Sequence, residues 1–231
     1  MSIEFDGGGS GQHIDLGTLD LPAGLSAMSI FSWVKFNSFS VPDQRIISKA
    51  TSSATEDHWF MLSSINTNQM RVRLRTGGTA TTHFETSTAI NTGQWYHVGF
   101  VYDGSNIIFY RDGVQNGSSA KTGVIDTSGA VEVRIADNPG TNRVELDGLI
   151  EDCRIYTKAL SLAEAQTIHA ARGRDDITDG LRHRWLLNEG APGVAASGAG
   201  AIKDTLGRVN GTPAASPIYQ SSRFAFHRSA A

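Results

Sequence analysis

Short stretches in which apolar and polar residues alternate recur along most of the chain, and glycine or aspartate residues separate many of them. The stretch 69–75 alternates most strictly, and a period of two places its apolar residues on one face of a β-strand. That face carries Met70, Val72 and Leu74, and the opposite face carries Arg71, Arg73 and Arg75. Similar runs predict further strands at 3–5, 28–36, 45–49, 59–62, 95–102, 107–110, 131–135 and 149–156.

One helix is predicted, and it begins after Ser161. Ser161 and Glu164 have the spacing of a capping box, in which each side chain satisfies the other residue's backbone N–H. Residues 163–172 are good helix formers, and Gly173 suits the end of the helix. Beyond it, the pattern predicts a strand at 181–187, a loop at 191–201, and an edge strand or docking arm from residue 216 to 228.

Many short strands with no helices between them are typical of a β-sandwich. The expected fold is therefore an all-β antiparallel sandwich with one short C-terminal helix and a β/coil extension. We expect the sandwich at residues 1–172 and the extension at 173–231, packing on the sandwich or docking a partner.

Composition and charge narrow the function classes. The chain has 231 residues and a formal net charge of −3. It therefore lacks the excess positive charge that is typical of nucleic-acid-binding proteins. Residues 1–170 hold 12 basic and 18 acidic residues, whereas residues 171–231 hold 8 basic and 5 acidic residues. The extension is thus suited to an acidic surface. The single cysteine, Cys153, allows no internal disulfide, and we expect it to be a buried apolar residue.

Targeting features are not visible in the sequence. The first residues contain no basic segment followed by an apolar one, and no run reaches the length of a membrane span. We therefore expect synthesis in a cytoplasm without a signal peptide, no membrane insertion, and a role on a virion or extracellular surface.

Several of these stretches, taken in order, resemble the laminin-G-like domains of the concanavalin A-like lectin/glucanase jelly-roll family. The most specific are 93–98 (GQWYHV), 102–104 (YDG) and 110–113 (YRDG), followed by 146–156 (LDGLIEDCRIY) and 159–164 (ALSLAE). The resemblance covers roughly residues 1–170 and implies a jelly-roll sandwich. The tail also resembles extensions of jelly-roll proteins from phages and marine bacteria.

The resemblance implies two possible properties, calcium binding and glycan cleavage. Domains of this kind often hold Ca²⁺ through loop oxygens, and the candidate ligands here are Asp6, Glu151 and Asp152. Glucanases of the same broad fold use two carboxylates, and Glu145, Asp147 and Glu151 come near that motif with one residue too many in the spacing. We predict no catalytic residues.

Ligand-binding candidates come from residue chemistry. Trp59 follows a polar loop and could stack on a sugar ring, and the arginine stripe Arg71, Arg73 and Arg75 could bind acidic glycans or an acidic partner. A solvated outer face is the favoured explanation of the stripe. In the tail, aromatic anchors and charges could dock a partner through Arg223, Phe224, Phe226, His227 and Arg228.

Three functions follow from these candidates. The first is a non-catalytic module displayed on a particle surface, such as a phage virion decoration protein, with a capsid or other surface protein as its partner and oligomers allowed. The alternative is a carbohydrate-binding lectin, with or without calcium. The third is a glycan-cleaving enzyme, which the departures from the carboxylate motif disfavour.

Overall fold

A computed structural model describes residues 1–65, 68–86, 89–140 and 144–221 of the chain. The described residues form two antiparallel β-sheets and one α-helix, which confirms the all-β sandwich with a single short helix. The elements are β1 (Ser2–Asp6), β2 (His13–Asp15), β3 (Met28–Phe36), β4 (Arg45–Ala50), β5 (His58–Ser64), β6 (Met70–Thr76), β7 (Thr79–Phe84), β8 (Trp95–Tyr102), β9 (Asn106–Arg111), β10 (Val114–Ala120), β11 (Val133–Ile135), β12 (Asp147–Tyr156), α1 (Leu162–Ala171), β13 (Leu181–Trp185), β14 (Thr212–Ala214) and β15 (Ile218–Gln220).

The two sheets draw on strands from the whole length of the chain. The first sheet has the order β10-β9-β8-β3-β12-β1-β15, and β13 also pairs with β12. The second has the order β14-β2-β11-β4-β5-β6-β7. Each sheet therefore joins strands that are far apart in sequence, with β1 against β12 in the first sheet and β11 against β2 in the second.

The main hydrophobic core lies between the sheets and follows the alternation of the strands. Met70, Val72 and Leu74 are buried in it, as their period of two predicts. Apolar side chains from facing strands of both sheets complete this layer, among them Phe5, Phe36, Phe60, Leu62, Phe100 and Phe109.

A second, smaller core lies beneath the helix. Helix α1 has the predicted capping box, since the Glu164 N–H donates to Ser161 Oγ at 3.2 Å and the Ser161 N–H donates to Glu164 Oε2 at 2.7 Å. Ala165 and Ile168 are its buried residues, and they pack in a cluster with Phe31 and other side chains of the first sheet. Within the described residues, no helix is long and apolar enough to cross a membrane.

The described part of the C-terminal extension adds strands to both sheets. Strand β13 pairs with β12, β15 pairs with β1, and β14 pairs with β2. Trp185 and Tyr219 reach the main core, where they are 0% and 4% exposed. The strand predicted at 181–187 is therefore present. Strands β7, β10 and β14 lack a strong apolar alternation, and for β10 the sequence offers only the hairpin turn at 111–114.

The edge strand β15 gives a stability prediction. A chain that ends at residue 215 loses the pairing with β1 and the buried Tyr219 ring, and we expect its unfolding free energy to fall by about 3 kcal/mol or more. A chain that ends at residue 221 keeps both features and is the matched control. Urea denaturation of both proteins measures the difference, and equal midpoints for the two chains would contradict the prediction.

Candidate functional site

Trp59 and Arg75 lie together in an open cleft of about 410 Å³ at one end of the second sheet. Trp59, the second residue of β5, has a partly exposed indole, and the guanidinium of Arg75, near the end of β6, lies 5.1 Å from the centre of its ring. The other wall consists of Gly24, Ile125, Asp126 and Thr127. The structure thus joins two of the four residues predicted to bind a ligand.

A tight hairpin and a short helical turn hold this cleft in place. Gly77 and Gly78 connect β6 to β7 with φ values of 57° and 85°, a conformation that favours glycine. The turn at 55–57 supplies Glu56, whose carbonyl accepts a bond from Arg75 Nη1 at 2.7 Å and whose carboxylate accepts the Ala80 N–H at 2.9 Å. The end of β6 and the start of β7 are therefore fixed relative to Trp59.

Asp126 connects the two walls of the cleft. Its Oδ2 accepts Arg75 Nε at 3.1 Å and the Gly78 N–H at 2.8 Å, and its own N–H donates to the Arg75 carbonyl at 3.0 Å. The carboxylate is partly exposed, so oxygen lone pairs remain for a ligand. Sequence reasoning missed Asp126, because it is fifty-one residues from Arg75 in the chain.

Arg71 and Arg73 belong to a different environment, and the prediction of one solvent-facing stripe is wrong for Arg71, which is buried, whereas Arg73 is half-buried. Arg71 is 6% exposed, with Nε donating to Ser63 Oγ at 3.2 Å and Nη1 lying 3.5 Å from Asp43 Oδ1. Arg73 donates to Thr82 Oγ1 at 3.2 Å and to the Ser53 carbonyl at 2.9 Å. The strand pattern gave their face correctly, but loops cover that face.

Burial and neighbouring arginines lower the pKa values of Arg45 and Arg73. Arg45 is 1% exposed beside Arg71 and Arg73, and burial followed by repulsion from these two cations lowers its pKa to about 9. Burial and the proximity of Arg71 lower the pKa of Arg73 to about 10. His58, buried near the same cations, has its pKa lowered to about 4 and is neutral at pH 7. Arg45 and His58 of this cluster are fully buried, in contrast to the partly exposed side chains of the Trp59 cleft.

The three predicted calcium ligands do not converge. Asp6 pairs in register with Asp147, whereas Ile3 pairs with Ile150, so Glu151 comes opposite the start of β1. Asp6 and Glu151 are thus separated by about four residues along paired strands, or roughly 13 Å. A single ion with ligands at about 2.5 Å cannot reach across this distance. The described residues contain no group of three His, Cys, Asp or Glu side chains suited to a metal ion.

Asp152 is occupied by arginines. Its Oδ1 accepts Arg154 Nε at 3.0 Å and Arg184 Nε at 2.8 Å, and its Oδ2 accepts a second bond from each guanidinium. Although burial opposes it, these arginines hold the pKa of Asp152 below its usual value. Arg154 also bonds both carboxylate oxygens of Asp175. The role of Asp152 is thus to neutralise buried arginines.

The carboxylates near the glucanase motif have structural partners or the wrong separation. Glu145 is 3% exposed and accepts the N–H groups of Gly9 and Gly11 at 3.1 and 2.9 Å. Asp147 and Glu151 are four residues apart on β12, roughly 13 Å, whereas a retaining pair needs about 5 Å. These acids therefore form no pair of the required geometry.

Two buried groups with strongly altered pKa values belong to packed regions. Burial raises the pKa of the Cys153 thiol to about 12, consistent with the buried cysteine that the sequence predicted. Burial lowers the pKa of His97 to about 3, with smaller effects from Arg154 and His169. The His97 ring lies 5.3 Å from Phe31 and 5.0 Å from Trp33.

The predicted docking residues Arg223, Phe224, Phe226, His227 and Arg228 lie outside the described residues.

Comparison with known proteins identifies the family. The model of the concanavalin A-like lectin/glucanases superfamily matches residues 6–166, more than half of the chain. The chain belongs to this superfamily. The match confirms the resemblance drawn from the sequence and the jelly-roll class of the sandwich. No curated protein sequence matches this concanavalin A-like chain.

Solved structures share the fold at low sequence identity. A candidate carbohydrate-binding protein from Bacteroides ovatus has a TM-score of 0.65 at 18% identity, covering 96% of this chain and 63% of its own. A heptameric SAP-like pentraxin from Limulus polyphemus has a TM-score of 0.59 at 20% identity, covering 78% and 90%. The CBM40 domain of the Ruminococcus gnavus IT-sialidase, bound to α2,3-sialyllactose, has a TM-score of 0.58 at 19% identity, covering 73% and 95%.

The lowered pKa of His97 predicts how the stability of this concanavalin A-like domain depends on pH. Below about pH 6.5 the unfolded chain binds a proton at this residue that the folded domain does not bind. The folded state therefore loses stability as the pH falls from about 6.5 towards about 3, by up to about 1.4 kcal/mol per pH unit for this one group.

The variant His97→Phe keeps an aromatic ring beside Phe31 and Trp33 but cannot titrate. We expect its unfolding free energy to depend less steeply on pH than that of the wild type between pH 5 and 6.5. Urea denaturation at half-unit intervals of pH measures both slopes. Buried carboxylates such as Asp152 lose stabilisation only at lower pH. Parallel curves for the two proteins would contradict the assignment.

Proposed function

We propose that this chain is a non-catalytic carbohydrate-binding module whose ligand site is the Trp59–Arg75–Asp126 cleft. The observation that carries the proposal is a partly exposed indole beside an arginine–aspartate pair at 3.1 Å, in a cleft of about 410 Å³. The acids near the glucanase motif, Glu145, Asp147 and Glu151, do not line this cleft. The proposed function is recognition without bond cleavage.

The cleft has the chemistry that a sugar ring requires. The C–H face of a pyranose packs on the exposed part of an indole, and its hydroxyl groups need both donors and acceptors. Arg75 supplies donors, and the Asp126 carboxylate supplies acceptors that Gly78 already orients. Since the pair is held by the hairpin and by Glu56, little side-chain order is lost on binding.

The comparisons support a carbohydrate ligand better than the particle-surface role that the sequence suggested first. Two of the structures with the same fold are a candidate carbohydrate-binding protein and a sialyllactose-bound domain. Display on a virion or other surface, with a capsid or surface protein as partner, stays a prediction, as does a role in an oligomer. Calcium binding also stays a prediction, without the residue set Asp6, Glu151 and Asp152.

A glycan array tests the proposed site. We expect saturable binding of the wild-type protein to at least one glycan, and a loss of at least about tenfold in affinity, or about 1.4 kcal/mol, for Trp59→Ala. Arg75→Ala should weaken the same interaction, because it removes the donors and frees Asp126. Isothermal titration with the best glycan gives the affinities, and chromatography of the recovered glycan should show it uncleaved.

Phe84→Ala is the matched control. Phe84 is an aromatic residue with 48% exposure at the far end of β7, away from the cleft, and its loss should leave the affinity unchanged. Repeating the array in millimolar calcium and in chelator shows separately whether an ion contributes. Unchanged glycan affinity in folded Trp59→Ala protein would contradict the proposed site.

A further inference from the structure

The positive charge of Arg75 in the Trp59 cleft is balanced by a carboxylate that lines the same cleft. Arg75 Nε donates to Asp126 Oδ2 at 3.1 Å, and the two side chains are 26% and 24% exposed. The two opposite charges at this short distance largely cancel each other's field at the distance of a ligand. Arg75 is therefore a hydrogen-bond donor in this cleft more than a free cation.

A second carboxylate and a second cation adjoin this pair. The Glu56 carbonyl accepts Arg75 Nη1 at 2.7 Å, so the Glu56 residue lies beside the same guanidinium. Lys121 Nζ donates to the Thr79 carbonyl at 3.0 Å, at the start of β7. Burial lowers the pKa of Lys121, and the carboxylates of Glu56 and Asp126 oppose this effect. These two cations and two carboxylates together carry no excess positive charge.

The cleft also keeps polar atoms that solvent can reach. Arg75 Nη2, Asp126 Oδ1, Trp59 Nε1 and Thr127 Oγ1 form no hydrogen bond with a described residue. None of these four atoms is buried, since the buried side-chain atoms without a partner are all in other described residues. The cleft thus offers two N–H donors, one carboxylate acceptor and one hydroxyl group that can act in either role.

This set of atoms fits a hydroxyl-rich ligand without charge. A sugar hydroxyl group can accept from Arg75 Nη2 or donate to Asp126 Oδ1, whereas a ligand carboxylate cannot donate to Asp126. A carboxylate could gain Arg75 only by displacing Asp126. That displacement is opposed, because Asp126 also accepts the Gly78 N–H at 2.8 Å and its own N–H donates to the Arg75 carbonyl at 3.0 Å.

We propose that the Trp59 cleft selects neutral saccharides over acidic ones, with one hydroxyl group accepting from Arg75 Nη2 and another donating to Asp126 Oδ1. The inference rests on the proposed function and names the ligand class of that site. It departs from the acidic glycan that the arginine stripe suggested. It also separates this chain from the Ruminococcus gnavus domain of the same fold, which is bound to sialyllactose.

The test compares neutral glycans with acidic counterparts on the full chain. An array carries oligosaccharides that end in glucose, galactose or mannose, each beside the same oligosaccharide ending in the corresponding uronic acid. We expect saturable binding of at least one neutral member. Isothermal titration of the tightest-binding pair should show an affinity at least about tenfold higher for the neutral member, because the uronate meets the carboxylates of Asp126 and Glu56.

Asp126→Asn tests the residue that sets this selectivity. The amide has a similar shape, and its oxygen can still accept the Gly78 N–H, but the charge of Arg75 is no longer balanced. We expect the neutral glycan to bind more weakly and the uronate more tightly, so that the ratio of their affinities falls at least about tenfold. Asp179→Asn is the matched control, because Asp179 is 81% exposed and lies outside the cleft. It makes the same change in net charge and should leave the ratio unchanged.

The possible failures are distinguishable. If the uronate member binds as tightly as the neutral one or more tightly, and Trp59→Ala abolishes this binding, the selectivity is overturned and the carbohydrate site stands. An unchanged ratio in folded Asp126→Asn protein would overturn the role of Asp126. If no glycan of either class binds to the wild-type protein, the proposed function fails, and the inference fails with it.

Discussion

Strands β1 and β13, from opposite ends of the chain, both pair with the edge of β12 that faces away from β3. Asp152 lies between these two paired regions of β12. Strand β1 pairs with residues 147–150, and β13 pairs with residues 153–156. Asp152 has a φ of 53°, which is costly for a residue other than glycine. Four bonds from Arg154 and Arg184 to its carboxylate hold this conformation. The junction therefore depends on a charge cluster that must remain complete, because a buried ion without its partner is strongly destabilising.

This dependence makes residues 173–221 part of the sandwich in a physical sense. Asp175 and Arg184, both in the extension, complete the charges of Arg154 and Asp152. Without them, β12 would keep buried charges that have lost partners, and Trp185 would leave the core. The alternation along β13 places Arg182 and Arg184 on one face and His183 on the other, with the buried Trp185. The strand thus joins the charge network around Asp152 to the main core.

The sequence predicts the strands whose apolar alternation is strong, as in β6, and the helix whose capping box is explicit. It gives no comparable signal for β7, β10 and β14, which are mostly polar and exist because neighbouring strands offer them hydrogen bonds. Periodicity assigned Arg71 to the outer face correctly, but it could not show which loops cover that face. Register was the other missing information: Asp6 and Glu151 belong to paired strands, yet the pairing separates them. Trp59 and Arg75 meet because their strands are neighbours, and Asp126 joins them from a distant loop.

The segment between β2 and β3 contributes to the walls of two clefts, so a change in this segment can affect both. Leu16, Thr18, Leu19 and Asp20 line a cleft of about 650 Å³ where the extension meets the sandwich, and Gly24 lines the Trp59 cleft. Lys49 Nζ fixes this segment from β4 by donating to the Leu19 carbonyl and to Asp20, and the Ile125 N–H fixes its end by donating to the Leu25 carbonyl at 2.7 Å. Lys49 is 1% exposed, so the removal of Asp20 would leave a buried cation without its carboxylate. A change at Asp20 would therefore disturb both walls together. Trp59 ends in its cleft without supporting this segment, so its loss reports on that cleft alone.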